Sequence, residues 1–342
     1  MDIVVSHTTA LAAMRRPYFP RHLAQAAGCP TGLPCRMPSP AELAAARDSC
    51  PQLADVEGPL DVLVDRSCVR HRSSAARVHT RTNPLPAGSL VPLAPGIRCV
   101  APLVAAVQVA PLLTRLELIL LLAELFGTYV PQADPSRAAA ARRQPLATPA
   151  QMDALLTSLG SAEGVRPVRS ALGVAPIAAA STMEAKLHVR AAERFSKGGW
   201  RLGELVLNDV LELRRIASEV PSFRVRKPDL TILSPHGDAG ERPFRGVALD
   251  YKGAWHGDPA QIRRDDERQN ELLSHGIKGY VIWKEQYDDL DYMDGLMRAI
   301  RSDVGLPERL VSRERRERER RARRQLWAEL ERIDGVRWES LA

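Results

Sequence analysis

Two hydrophobic spacings take turns along the chain. Short apolar runs bounded by Gly and Pro read as strands, and apolar positions three or four apart read as helices. In the first 130 residues, Leu60-Asp61-Val62-Leu63-Val64 alternates as a half-buried strand should. Ala76–Thr80, Leu90–Leu93 and Gly96–Val100 are further short strands, with Pro84–Gly88 as a turn. A helix capped by Ser6 or Thr8 is expected to run to Met14, with His7 a capping or packing residue. Pro40–Asp48 and a stretch after Pro102 also read as helices. Thr114–Phe126 is strongly apolar, and Leu113, Leu116, Ile119, Leu120 and Ala123 repeat on one core-facing side.

Residues 131–150 are rich in Pro, Ala and Arg and read as a linker, followed by a helix over Pro149–Leu159. Thr182–Lys197 is predicted to be an amphipathic helix capped by Ser181 or Thr182. Its inner side would be Met183, Leu187, Ala191 and Phe195, with His188 at the surface. Leu202–Leu213 reads as strand and turn around Asn208-Asp209. Leu230–Leu233 and Gly246–Leu249 are strand-like, separated by a turn-rich loop from Ser234 to Gly240. Asp258–His275 is a charged helix with a narrow seam of Ile262, Leu272 and Leu273, closed by Gly276 as a C-cap. Lys278–Lys284 is a compact strand and Leu290–Arg301 a helix. Ser312–Ile333 is a long polar helix, supported by Glu314/Arg318 and Glu317/Arg321 at i,i+4, with Leu326, Trp327, Leu330 and Trp338 docking its end.

These elements predict a mixed α/β (α+β) protein: an α+β domain over 1–130, a linker and helix over 131–177, a second domain over 178–305, and a basic helix over 306–342. A length of 342 residues allows two ordinary cores.

Charge adds a partner class. The formal net charge is +7 and the isoelectric point about 9.4, which suits an anionic partner. Only six of the 48 basic residues are Lys, so Lys252 in a strand-end motif stands out. Eight Arg against three Glu between Arg313 and Arg324 suit either a solvated helix or a clamp on nucleic-acid backbone through residues such as Arg316 and Arg320. Arg66, Arg70, Arg72, Arg77 and Arg81 pose the same choice between two strands. The apolar run Leu116–Phe126 is short and carries Glu117 and Glu124, so no membrane span is expected. The start lacks the features of a secretory leader. With five cysteines, all in the first hundred residues and none in a C-x-x-C pair, a reduced cytoplasmic protein without structural zinc is expected.

The candidate chemistry lies between Arg226 and Trp255. Asp229 opens one strand-like run; Asp250 ends the next, with Lys252 two positions on and so on the same sheet face. Pairing of the two runs would bring Asp229 and Asp250 together at one end. Two carboxylates beside an ammonium make a site for a hard cation, which suits phosphodiester hydrolysis. The alternative is a strand-end ion pair of Asp250 with Lys252 or Arg226.

Pro228-Asp229 followed by Asp250-Tyr251-Lys252 resembles the PD-(D/E)XK nuclease signature. Asp250-Tyr251-Lys252-Gly253, His256 and then Asp265, Arg268, Leu272 and Gly276 are similar to nuclease-like domains related to very-short-patch repair endonucleases, over about residues 178–305. Many relatives carry Glu-Tyr-Asp-Gly where this chain has Asp-Tyr-Lys-Gly. The resemblance implies a restriction-endonuclease-like core built as helix, three strands, helix, strand. It implies Mg²⁺ (or Mn²⁺) held by Asp229, Asp250 and the Tyr251 carbonyl, and Lys252 acting on the attacking water. Glu184 would be a third carboxylate from the first helix, or simply a first-turn acid favoured by the helix dipole. His256 would be a general base or phosphate contact, or a surface loop residue. Trp255 would stack on or wedge into DNA, or cover the core rim. Arg226 and Arg268 are further candidate nucleic-acid contacts, Arg268 alternatively pairing with Asp265.

The glycine, strand and proline-led helix order of residues 1–130, with the Ser6–Leu11 opening, is similar to the C-terminal domain of AbiE-type abortive-infection antitoxins. Two functions follow as expectations. One is a metal-dependent DNA endonuclease or nickase in phage defence or repair. The other is a DNA-binding regulator or antitoxin-like protein using a nuclease fold as scaffold. DNA is the expected partner and no membrane is; oligomeric state, a homodimer included, stays open.

Overall fold

A computed structural model describes residues 2–69, 73–81, 83–131, 143–215, 222–235, 245–252, 259–335 and 338, with 259–266 as backbone. The backbone divides into two units, Met1–Ala175 with Asp334–Ala342, and Pro176–Ile333. Both are mixed α/β.

The first unit follows the apolar runs. Its strands are β1 (Ile3–Val5), β2 (Leu60–Asp65), β3 (Ala76–Arg81), β4 (Leu90–Ala94) and β5 (Ile97–Val100), in sheet order β3-β2-β1-β5-β4. Pairings β1–β5 and β2–β3 are parallel, while β1–β2 and β4–β5 are antiparallel. Helices α1 (His7–Arg15), α2 (Phe19–Leu23), α3 (Pro40–Ser49), α4 (Pro102–Val109), α5 (Arg115–Phe126), α6 (Pro149–Leu159) and α7 (Val165–Leu172) complete it. Strand β2 departs from its expected half-burial: Leu60 to Val64 are all buried, Asp61 included. Asp61 tolerates this because it accepts hydrogen bonds from Thr8 and the Arg77 guanidinium and shares one with His79, at 2.9 Å from the ring nitrogen. The expected Ser6 side-chain cap does not form; its hydroxyl hydrogen-bonds the His7 ring at 3.0 Å.

Helix α5 is buried nearly all round, not on one side only. A capping box between Thr114 and Glu117 starts it. Glu124 is held inside by pairing with Arg15 at 2.7 Å and Arg143 at 3.3 Å. Helix α6, expected beyond the first domain, belongs to this unit, as does α7, which the sequence pattern does not predict. Cys29, Cys50, Cys68 and Cys99 are buried free thiols and Cys35 is an exposed one.

The second unit runs α8 (Thr182–Ala192), β6 (Leu205–Leu207), β7 (Leu211–Arg214), β8 (Phe223–Arg226), β9 (Leu230–Leu233), β10 (Gly246–Lys252), α9 (Pro259–Ser274), β11 (Ile277–Trp283), α10 (Lys284–Asp288), α11 (Leu290–Asp303) and α12 (Arg313–Arg332). Its main sheet is ordered β11-β10-β9-β6. Strands β6, β9 and β10 are antiparallel neighbours, and β11 returns parallel to β10 after α9. Strands β7 and β8 form a separate antiparallel pair. Strand β8 is not evident in the sequence, because basic and apolar residues alternate there and Phe223 and Val225 are exposed.

Several expectations are corrected. Helix α8 stops at Ala192, before Phe195, because Glu193 turns extended and a short 3-10 turn follows. His188 is mostly buried and its Nδ1 has no hydrogen-bond partner; burial lowers its pKa to about 4. Leu272 is buried, but Leu273 is 58% exposed and lies off the seam. Along α12 the i,i+4 pairs are Arg313–Glu317 and Arg315–Glu319, with the base on the N-terminal side. Leu326 and Leu330 are buried in the second unit, whereas Trp338 belongs to the first. Among the described residues no helix is long and apolar enough to cross a membrane.

Candidate functional site: an acid pair at a strand end

Register places the two acids. Leu230 of β9 stands opposite Leu249 of β10, so one further step along the antiparallel ladder sets Asp229 opposite Asp250. Gly246 lets the ladder start: its φ is +155°, and a Cβ there would sit 2.3 Å from the Ile232 carbonyl oxygen.

Main-chain donors hold the two carboxylates. The Tyr251 N–H donates to Asp229 Oδ2 at 2.7 Å, and the Asp229 N–H donates to Asp250 Oδ1 at 3.2 Å. Burial, then the nearby Asp250 and Glu184 charges, push the Asp229 carboxyl up to about 7, against the pull of the Tyr251 N–H and Arg268. Burial also raises Asp250, partly offset by Arg268.

Glu184 sits in the first turn of α8. It accepts from the Ala180 N–H at 2.8 Å and the Ser181 hydroxyl at 2.9 Å, and its own N–H donates to Ser181. It therefore has the helix-start role, and it also contributes charge at Asp229. Asn208 joins the two acids. Its side chain donates to Glu184 Oε2 and to the Ala178 carbonyl, and its N–H donates to the Asp229 carbonyl at 3.2 Å. Asn208 has φ +54°, a left-handed conformation that Asn accepts readily. The only signal for it in the sequence was an Asn-Asp pair after a short apolar run.

Lys252 follows on the same strand face as Asp250, its ammonium 5.7 Å from the centre of the Trp283 ring in the neighbouring strand. Tyr251 points its ring the other way, edge-on to Tyr287 at 5.7 Å. Asp250 is ion-paired with Arg268 of α9, at 2.9 Å. Arg268 also donates to the Lys227 carbonyl at 3.3 Å. Arg226 is paired with Glu271, its Nε 2.8 Å from the carboxylate. Arg316 and Arg320 lie exposed on α12, and Arg320 bonds Asp291. Trp255, His256 and the Asp265 side chain lie outside the described residues.

Among the described residues no three or more His, Cys, Asp or Glu side chains are grouped to hold a metal ion. Two facing carboxylates whose charges disfavour each other still fit a Mg²⁺-type ion, which binds through one or two carboxylates and keeps several waters. Asp229 and Asp250 would be those ligands. The chain has no significant match among protein-family models, curated proteins or solved structures.

Proposed function

We propose that the second unit hydrolyses phosphodiester bonds of DNA, with Mg²⁺ or Mn²⁺ held between Asp229 and Asp250. The facing of these two acids across the β9–β10 ladder carries the reading. The order α8, β6, β9, β10, α9, β11, with β11 parallel to β10, supports a restriction-endonuclease-like core. A bound divalent ion supplies water activation and charge neutralisation at the phosphate. The chain's own residues do the rest. The Tyr251 and Asp229 N–H groups fix the carboxylates, and Lys252 brings a compact positive charge to the same face for the attacking water and developing negative charge. Arg268 holds Asp250 Oδ1 and competes with a cation for it.

Supercoiled plasmid incubated with Mg²⁺ or Mn²⁺ tests this. The wild type is expected to nick or linearise it, with Asp250→Ala and Lys252→Ala slower by about 100-fold or more. An intact plasmid with both metals, or cutting by Asp250→Ala at the wild-type rate, overturns the proposal. The Arg268–Asp250 ion pair and the lack of a three-acid group among the described residues favour a second reading, DNA binding without cleavage. Its signature is a gel shift in EDTA with no product when metal is added.

A further inference from the structure

The second unit holds a cavity of about 990 Å³ lined by α11, the turn that follows it, the first half of α12, and Phe195 and Trp200. Six arginines line it: Arg298, Arg301, Arg309, Arg316, Arg320 and Arg323, against four acids, an excess of two positive charges. Three of the acids are already engaged. Asp291 bonds Arg320, Asp294 pairs with Arg323 at 2.7 Å, and Glu319 takes Arg309 through both oxygens at 2.9 and 3.0 Å. Glu308 is the fourth and is exposed.

The remaining arginines are held without neutralisation. Arg301 donates to the main-chain carbonyls of Trp200, Arg201 and Pro307 at 3.0 to 3.2 Å. Arg298 donates from Nε to the Asp294 carbonyl at 3.0 Å. Neither these two nor Arg316 has a carboxylate within ion-pair distance among the described residues. Arg323 Nη1 is buried there without a hydrogen-bond partner. Carbonyls fix a guanidinium in place but leave its charge uncancelled, so an incoming anion gains both fixed donors and unscreened charge. Phe195 is covered by Arg309, 3.4 Å from the ring centre, with Arg301 at 5.3 Å. The ring orders the arginines and is not free to stack on a base.

The arginines stand in two rows, of which Arg298, Arg301 and Arg316 carry the uncancelled charge. Arg298 and Arg301 are three apart on α11; Arg316, Arg320 and Arg323 are spaced four and three apart on α12, each set on one helix side. Four residues of helix span about 6 Å. That is roughly two steps of a nucleic-acid strand, whose charges repeat about every 3.4 Å. An extended polyanion fits two rows better than a single small anion does. We propose that this cleft seats the phosphodiester backbone of a DNA strand. The choice of polymer rests on the nucleic-acid reading above; cleavage is not required.

The test is fluorescence anisotropy of a labelled 20-nucleotide DNA with the full chain in EDTA, so that its outcome is independent of any cleavage. Arg298→Glu/Arg316→Glu reverses two exposed charges in the cleft. Arg318→Glu/Arg321→Glu makes the same charge change on exposed positions of α12 that do not line it. The cleft pair is expected to weaken binding at least tenfold and to lower the salt slope by about 2. The control pair should change affinity less than threefold. Arg298→Gln/Arg316→Gln, milder for folding, should fall between wild type and the charge reversal. Equal loss in cleft and control pairs, or no strand binding by the wild type, overturns the proposal. So does saturable binding of inorganic pyrophosphate by calorimetry that the cleft pair abolishes while strand binding stays unchanged.

Discussion

Single side chains in the first unit show how buried charge is tolerated only with its partners present. Glu124 is fully buried between Arg15 and Arg143. Replacing it with Gln leaves two arginines without their carboxylate and is expected to cost about 3–5 kcal/mol, read from urea unfolding. His7 makes a different case. Its ring stacks on His79 with centroids 3.6 Å apart. Burial, then His79, lowers its pKa from 6.5 to about 4, against the raising effect of Asp61. A depressed folded-state pKa gives stability that is present above pH 6.5 and lost as pH falls through about 4. His7→Asn does not titrate and suits the positive φ of 47° at this position. Between pH 6.5 and 4 its stability should fall less steeply than that of the wild type, as denaturant midpoints measured across that range would register.

Elements locate the candidate site, and the β9–β10 ladder is the one that matters most. Gly246→Ala would push a methyl group against the Ile232 carbonyl at the start of that ladder. It is expected to destabilise the chain by about 1–3 kcal/mol. Amide exchange should accelerate in β9 and β10 while β2 and β5 keep their protection. Equal protection in β9 and β10 for variant and wild type would show that the close approach is not what holds the register. The strand positions of both acids were readable, because each stands at the end of a four-residue apolar run; the register that sets them opposite each other comes from the ladder. Glu184 and Asn208 were harder to place. They come from separate elements, and nothing local in the sequence brings them to Asp229.

At the scale of the molecule, the chain passes from the second unit to the first after Ile333. Trp338 is 1% exposed there, with the Arg15 guanidinium 5.6 Å from its ring centre. Gly335, at φ +80°, makes the preceding turn against Pro131. Truncation after Ile333 is therefore expected to weaken the first unit, by about 3–5 kcal/mol if Trp338 dominates. Hydrogen exchange should rise around α1 and α5 and stay unchanged in β10 and β11. A loss confined to the second unit would contradict this assignment. In sequence, residues 306–342 look like one appendage, because the helix pattern of α12 runs without a visible break to within a few residues of Trp338.

The sequence by itself determined most elements and the strand-end positions of Asp229, Asp250 and Lys252. Hydrophobic period, caps and turn residues act over a few positions, and strand alternation puts Asp250 and Lys252 on one face. Only the tertiary structure decided which charges meet. It paired Asp250 with Arg268, gave Arg226 to Glu271, buried Asp61 and Glu124 with their partners, and gathered arginines of α11 and α12 around one cleft. Ion pairing and burial depend on distances between residues far apart in the chain. No local pattern encodes such distances, so a buried, paired arginine and a solvated one look alike in sequence.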